Sequence, residues 1–392
     1  MPEYTAPGVS VEETSPRRPS IAGGSTSTAG FVGRTEHIRN AKLDNDAMLD
    51  KPVLVQSWTE FVETFGRYSK RRAPYLPPAV QGFFENGGRR CYVVRVPDGA
   101  EDEHYIGADM TGLQALCTVD DISIVCIPGV TSLSVQQAMI SHCENMRDRV
   151  CILDSEKNAD VQAVLTQRNS LHSSYGHGAL YYPWIRVMME SGKKTRLHRV
   201  HDFVPPCGHI AGIYAQTDSG RGVHQAPANV VVSGALDVKV HVTKNEQEIL
   251  NPKGINCIRT FPGRGILVWG ARTLCEGPEW KYVNVRRLLL YLEESIKNGT
   301  EWTVFKPNGE ALWADVRRTV EDFLMGVWRN GMLQGAKPEE AFFVKCDRTT
   351  MTQNDLDNGR LVCLIGVAPL RPAEFVIFRI SQWTSGVIKA PL

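Results

Sequence analysis

The sequence lacks an excess of charge of either sign: 44 basic residues stand against 43 acidic ones in 392, a balance of +1. No global field therefore draws the chain to nucleic acid or to an anionic membrane, and any electrostatic recognition has to be local. Long apolar runs are missing too. None approaches the roughly 18–20 residues that cross a bilayer, and the opening MPEYTAPGVS has no basic, then apolar, signal pattern. A soluble protein made in the cytoplasm, with no direct membrane insertion, is expected. The ten cysteines, at 91, 117, 126, 143, 151, 207, 257, 275, 346 and 363, form no CxxC pair and often sit inside apolar runs. Reduced core thiols are expected in place of a disulfide or metal framework.

The motifs of nucleotide and hydrolytic chemistry are absent as well. There is no GxxxxGK[ST] loop, and Gly87-Gly88-Arg89-Arg90 precedes its strand where a dinucleotide fingerprint has to follow one. No GxSxG elbow or HExxH helix occurs. His172, His177, His201, His209 and His224 gather in one region with Asp202 and several serines, but unordered content of this kind occurs in any chain this long. Cys207-Gly-His209 is too tight and isolated for a metal half-site and reads as a structural turn. No cofactor or metal is expected.

What the chain does contain is a core large enough for two or three domains. From Pro52 to about Asp154 the pattern alternates strand and helix. Ser57 with Glu60 reads as a capping box for a helix through Phe65, Pro78–Asn86 as a second helix, and Cys91–Val96 and Ile122–Ile127 as strands. A stripe of Val135, Ala138, Met139, Cys143 and Met146 leads into a strand at Val150–Leu153, and Ala179–Trp184 adds another. Such alternation favours a parallel, doubly wound sheet.

Beyond Gly277 the patterns are those of an α+β unit. One helix carries Val285, Leu288, Leu289, Leu292 and Ile296 on its apolar stripe and leaves Arg286, Arg287, Glu293, Glu294 and Lys297 off it. A second, about Leu312–Asn330, buries Val316, Val320, Phe323, Leu324 and Val327, exposes Arg317, Arg318, Glu321, Asp322 and Arg329, and stops at Gly331. A strand at Ala341–Cys346, the polar turn TQNDLDNG and two apolar runs follow. Those runs, Leu361–Val367 and Phe375–Ile380, are separated by Pro369 and Pro372 and so read as two strands of a three-stranded sheet with an open edge.

Each end of the chain carries an isolated strand candidate. Gly8–Glu13 alternates Val9 and Val11 against Ser10 and Glu12, with a small, hydroxyl-rich linker, GGSTSTAG, before the buried Phe31 and Val32. After Ile380 only Trp383, Val387 and Ile388 are large apolar anchors. A strand without a local partner needs an edge, and a neighbouring subunit offers one.

Two further runs are distinctive: VPPCGHIAGIYAQTDSGRGVHQAPAN (204–229), with a short helix expected around Ile210–Thr217, and NPKGINCIRTFPGRGILVWGARTL (251–274), where a Pro262-Gly263 turn feeds a buried strand Gly265–Trp269. With APGVSVEE near the start and PLRPAEFVIFRISQWT near the end, these four ordered segments are similar to the hallmark segments of the contractile tail sheath family. His224 stands where that family commonly has Trp in its GV-x-x-APAN loop, and the tail after Trp383 departs from the pattern.

The resemblance implies an outer α/β domain with a doubly wound, subtilisin-like sheet (23–276) and an inner α+β domain (277–380). Flanking them it implies extended strand arms at the N-terminus (1–22) and C-terminus (381–392). It implies a helical sheath polymer of identical subunits around an inner tube protein, with baseplate and terminal cap proteins as further partners and no nucleic acid. Such a sheath is assembled in the producing cell's cytoplasm and belongs to a virion tail or a released injection particle. The orphan strands then become donated arms, Gly8, Val9, Ser10, Val11 and Glu12 at one end and Trp383, Val387 and Ile388 at the other. Val362, Leu364, Val376, Phe378 and Ile380 form the accepting sheet. Contact with the tube is expected at Arg317, Arg318, Glu321 and Asp322, then at Arg286 and Arg287, with contraction driven by metastability and no nucleotide hydrolysed. A static self-assembling shell and an α/β hydrolase are the rival classes.

Overall fold

The computed structural model describes residues 20–35, 49–69, 74–193 and 196–375. In chain order the first elements are β1 (Ala29–Gly33), β2 (Val53–Val55), α1 (Trp58–Phe65), α2 (Leu76–Glu85), β3 (Cys91–Arg95), α3 (Asp102–Ile106), β4 (Ile124–Cys126), α4 (Leu133–Met146), β5 (Val150–Asp154), α5 (Val161–Asn169) and β6 (Gly178–Tyr182). The hairpin β7 (Ile185–Lys193) and β8 (Arg196–Val204) follows, then α6 (Cys207–Arg221), β9 (Val230–Val231), β10 (Ala235–Val238), α7 (Lys244–Leu250), β11 (Ile255–Phe261) and β12 (Gly265–Trp269). The last part holds α8 (Val283–Thr300), α9 (Glu310–Arg329), α10 (Pro338–Ala341), β13 (Phe342–Lys345), α11 (Gln353–Asp357) and β14 (Leu364–Val367).

Among the described residues the large sheet runs β2-β3-β1-β4-β5-β6-β11-β12-β9. It is parallel from β3 to β11, with antiparallel β2 at one edge and β12 and β9 at the other. The largely apolar, buried strands account for this: β1 is buried along its whole length, and its alternate side chains serve different cores. Phe31 packs with Val93, Phe83, Ile210 and Tyr214 on one face, while Val32 packs with Val94, Leu116, Val135 and Met139 on the other. A smaller sheet, β10-β7-β8, stands beside it.

Several expected elements shift for identifiable reasons. Ser57 Oγ accepts from Glu60 N at 3.2 Å, but the Glu60 carboxylate reaches back to Gln56 N at 2.7 Å, one residue beyond the expected capping box. Helix α2 begins at Leu76, with Pro77 and Pro78 in the first turn, where no N–H is needed. Cys207-Gly-His209, expected as a turn, is the first turn of α6, whose Cys207 N donates to Asp154 Oδ1 at 2.9 Å. Gly208 and Gly212 let α6 approach α2 closely: a Cβ on Gly208 would lie 2.1 Å from Ala79 O, and one on Gly212 2.5 Å from Phe83 O. The TQNDLDNG turn contains the short helix α11, capped by Thr352 and Asp355.

In the C-terminal unit α8 and α9 enclose a third core with β13 and β14, which pair antiparallel. The stripe on α8 holds Leu288 and Leu292 against that core, while Val283 and Leu290, on another side of the helix, belong to the core of the large sheet. Helix α8 is thus packed on two sides. Gly331, at φ 71°, follows α9 in the left-handed conformation that terminates a helix. Residues 376–380 of the expected third strand lie outside the described residues, and Phe375 is not in a strand.

Candidate functional site

The sequence points to residues 1–22 and 381–392 as arms, and the structure describes the segments that adjoin them, here called their roots. Residues 1–19 and 376–392 lie outside the described residues, and with them Gly8, Val9, Ser10, Val11, Glu12, Val376, Phe378, Ile380, Trp383, Val387 and Ile388. Both roots are fastened to side chains around α8.

At the N-terminal root the expected linker is laid along α8. Ile21 fits over Gly299, where a Cβ would stand 2.4 Å from Ile21 Cγ1, and Gly23 lies against Tyr291, where a Cβ would stand 2.4 Å from Tyr291 Oη. Gly24 N donates to Ser295 Oγ at 2.9 Å, and Arg287 Nη2 donates to Thr26 O at 2.7 Å. Arg287 also grips Asp218 of α6 with Nη1 at 2.9 Å and Nη2 at 2.6 Å, both side chains 5% exposed or less. The guanidinium lies over the Tyr214 ring, 4.6 Å from its centre. This buried, two-pronged pair joins the linker, α6 and α8.

At the C-terminal root the anchor is Glu374. Its Oε1 accepts from Arg272 Nε at 2.7 Å and Asn251 Nδ2 at 2.8 Å, and its Oε2 accepts from Arg272 Nη2 at 2.5 Å and Tyr282 Oη at 3.2 Å. Burial alone would raise the Glu374 pKa, but the hydrogen bonds from Arg272 and Asn251 bring it below the ordinary carboxylate value. The Tyr282 hydroxyl moves up, through burial and then through Glu374. Upstream, Asn284 Nδ2 donates to His224 O at 2.7 Å and to Leu370 O at 3.4 Å, and Gln334 holds Ala368 O and Pro369 O. Segments 204–229, 251–274 and 369–375, distant in sequence, therefore meet here.

The other candidates fall apart into separate roles. Arg286 and Arg287, expected on an exposed face, are 4% and 3% exposed, because α8 is covered on two sides. Arg286 stacks on Trp280 at 4.5 Å and reaches Glu293 at 3.2 Å, and burial lowers its pKa. On α9, Arg317, Arg318 and Asp322 are exposed and Glu321 half-buried, and the Arg317–Glu321 pair is a loose 3.9 Å. Leu364, opposite Lys345, is 50% exposed, and Val362 O accepts from Thr350 Oγ1 at 2.7 Å. Phe343 on β13 is also exposed, so the face of the small sheet with Phe343, Lys345 and Leu364 is open, and Phe375 beyond β14 is exposed as well.

No arrangement of a hydrolase is assembled from the histidines among the described residues. His177 and His209 are buried and neutral, their pKa values lowered by burial to about 3 and about 4, and burial also lowers that of His224. Asp202 instead accepts from Tyr68 Oη at 2.8 Å and faces Lys157 at 3.8 Å.

The family model for the phage tail sheath protein central domain matches residues 99–274, and that for the phage tail sheath C-terminal domain matches residues 276–382. The tail sheath protein of Vibrio phage KVP40 is 25% identical over 178 residues, which is 44% of this chain but 26% of that relative. The chain thus spans only about a quarter of that curated protein. The putative prophage major tail sheath protein of Pseudomonas aeruginosa (strain UCBPP-PA14) is 24% identical over 71% of this chain and 72% of its own length. Among solved structures, the helical sheath of the anti-feeding prophage in the contracted state is 30% identical, with a TM-score of 0.77 over 97% of this chain and 99% of that one. The PVC sheath complex of an extracellular contractile injection system, also contracted, is 28% identical at a TM-score of 0.77, over 97% and 99%.

Proposed function

The chain belongs to the phage tail sheath family, and from that premise we propose that it is the repeating subunit of a contractile sheath. Subunits polymerise helically around an inner tube and shorten to drive the tube through a target envelope. A sheath has to remain continuous while its subunits rotate, and strands donated to neighbouring sheets supply continuity through backbone hydrogen bonds. The observation that carries this reading is the anchoring of both arm roots. Arg287 holds Thr26 O and Arg272 holds Glu374, so tension on either arm is delivered to the folded body.

In this reading residues 1–22 and 381–392 are the arms, 277–380 the inner domain and 23–276 the outer one. The acceptor is the β13–β14 sheet, whose described strands expose Phe343 and Leu364. A doubly wound, subtilisin-like description of the outer domain is supported by the run of parallel strands with a separate apolar core on each face. Arg317, Arg318, Glu321 and Asp322 are the proposed tube contacts, since weak screened charges repeated over many copies release cooperatively. Arg286 and Arg287 are withdrawn from that role by burial. The chemistry required is assembly alone, with stored conformational energy in place of a bound cofactor. Assembly is placed in the producing cell, on a baseplate and beneath a terminal cap.

Electron microscopy of the protein expressed alone tests the proposal. Hollow, striated tubes in the contracted lattice are expected, and deletion of residues 1–19 should abolish them without unfolding the subunit. Small monodisperse particles at high concentration, or tubes that survive the deletion, would overturn it. A static shell would give a single lattice with and without the tube protein.

A further inference from the structure

We propose that Cys346 and Cys363 form an oxidisable pair that closes into a disulfide across the β13–β14 ladder. The ladder pairs Phe342 with Val367, Val344 with Ile365 and Lys345 with Leu364, so its next rung sets Cys346 opposite Cys363. Alternation places both thiols on the side of the sheet that carries Phe342, Val344 and Val367 toward the third core. Directly opposed residues in an antiparallel ladder have Cα atoms about 4.5–5.5 Å apart, inside the roughly 4.4–6.8 Å that a disulfide spans. Each thiol also perturbs the ionisation of the other, in keeping with side chains that lie side by side.

Access separates this pair from the other thiols in contact. Cys143 with Cys151 and Cys126 with Cys207 also touch, but all four are 0% exposed. Cys346 is 1% exposed, whereas Cys363 is only half-buried and gives a soluble oxidant one point of entry. Cys117 and Cys275 are half-buried too, but their sulfurs face Gln114, His142 and Ser174 in place of another thiol.

The reaction is thiol–disulfide exchange with a small disulfide such as oxidised glutathione. The Cys363 thiolate attacks one glutathione sulfur and expels glutathione thiolate, leaving a mixed disulfide. The Cys346 sulfur then attacks the Cys363 sulfur, expels the second glutathione, and its proton passes to that leaving thiolate. Two protein thiols are oxidised and one glutathione disulfide is reduced to two thiols. Burial pushes both thiols up, Cys363 to about 12, so closure is slow near neutrality and accelerates with pH. Once closed, the bond fixes the register of the sheet that, on the sheath reading, accepts the arms.

The full-length protein is treated with oxidised glutathione, its remaining thiols are alkylated, and non-reducing digests are analysed by mass spectrometry. A cross-linked peptide containing Cys346 and Cys363, two hydrogens lighter than the sum of its parts, is expected. Formation should speed up several-fold per pH unit near neutrality. In Cys346→Ser, Cys363 should stop at the glutathione adduct, and in Cys363→Ser, Cys346 should stay reduced. A stable glutathione adduct on Cys363 of the unmutated protein, or both thiols still alkylatable after denaturation, would overturn the proposal. Neither result depends on whether the chain assembles into tubes.

Discussion

Arg272 and Glu374, 102 residues apart, meet in a two-pronged ion pair, Nε to Oε1 at 2.7 Å and Nη2 to Oε2 at 2.5 Å. The two side chains are 7% and 19% exposed, so the pair is largely shielded from water. Removing one partner strands the other, and Glu374→Gln or Arg272→Met is expected to cost about 3 kcal/mol in denaturant unfolding. Arg272→Lys keeps the charge but loses the fork, and its loss should be smaller. The depressed Glu374 pKa means that the clamp contributes fully above the ordinary carboxylate value and is lost as pH falls through the folded-state value. The gap between wild type and Glu374→Gln should therefore persist at neutral pH and close only in acid. A gap that grew on acidification would refute the assignment.

The contact of α6 with α2 can be tested on two glycines of one helix. Gly208→Ala places a Cβ 2.1 Å from Ala79 O, a clash with backbone, and should cost about 1–3 kcal/mol. Gly220→Ala, with nothing within 4 Å, should instead stabilise the protein by about 0.5–1 kcal/mol through helix propensity. Thermal unfolding of the two variants side by side reads both signs. Equal effects would mean that α6 is not held against α2 as described.

Most of the parallel strands were legible as short apolar runs, and helices α8 and α9 because their periodicity reports burial on defined faces. Arg286 and Arg287 show where such patterning stops. They lie off the apolar stripe and read as solvated, yet α8 is covered by a second core and both are buried. Asp218, the partner of Arg287, lies 69 residues upstream, a separation that local periodicity cannot bridge. The β7–β8 hairpin was missed because its polar sequence carries no continuous apolar run, and β11 because its start is hidden behind Asn251-Pro252-Lys253-Gly254. The motifs that carried the family resemblance were legible individually. That Asn251, Arg272 and Glu374 converge was not, since each alone is an ordinary surface residue type.

The α9 charges separate a structural role from an interface role. Arg317 and Arg318 are exposed, and the Arg317–Glu321 pair at 3.9 Å is of the kind that contributes less than about 0.5 kcal/mol. Arg317→Glu with Arg318→Glu should leave the melting temperature nearly unchanged. Co-assembly with the cognate tube protein should fall sharply, and more so at low salt, as sedimentation of tube-loaded sheaths would measure. Unimpaired co-assembly would remove these residues from the tube contact.

Glu294 provides a pH test at the N-terminal root, where its carboxylate lies beneath Gly24. Burial, then Asp148 and Asp121, raise its pKa to about 6 against the opposing pull of Lys297 and Arg149. A raised carboxyl pKa means that the folded state holds the proton more tightly than the unfolded chain. Its favourable contribution is complete below the ordinary value of 4.5 and is lost as pH rises through about 6. Glu294→Gln mimics the protonated form, so it should match wild type in acid and exceed it in stability at neutral pH, the difference opening between those two values. Other carboxylates titrate in the same range, but they are common to both proteins and cancel in the comparison. A constant difference across the range would mean that Glu294 is not the titrating group, and a variant less stable at neutral pH would mean that its charge is satisfied where it lies.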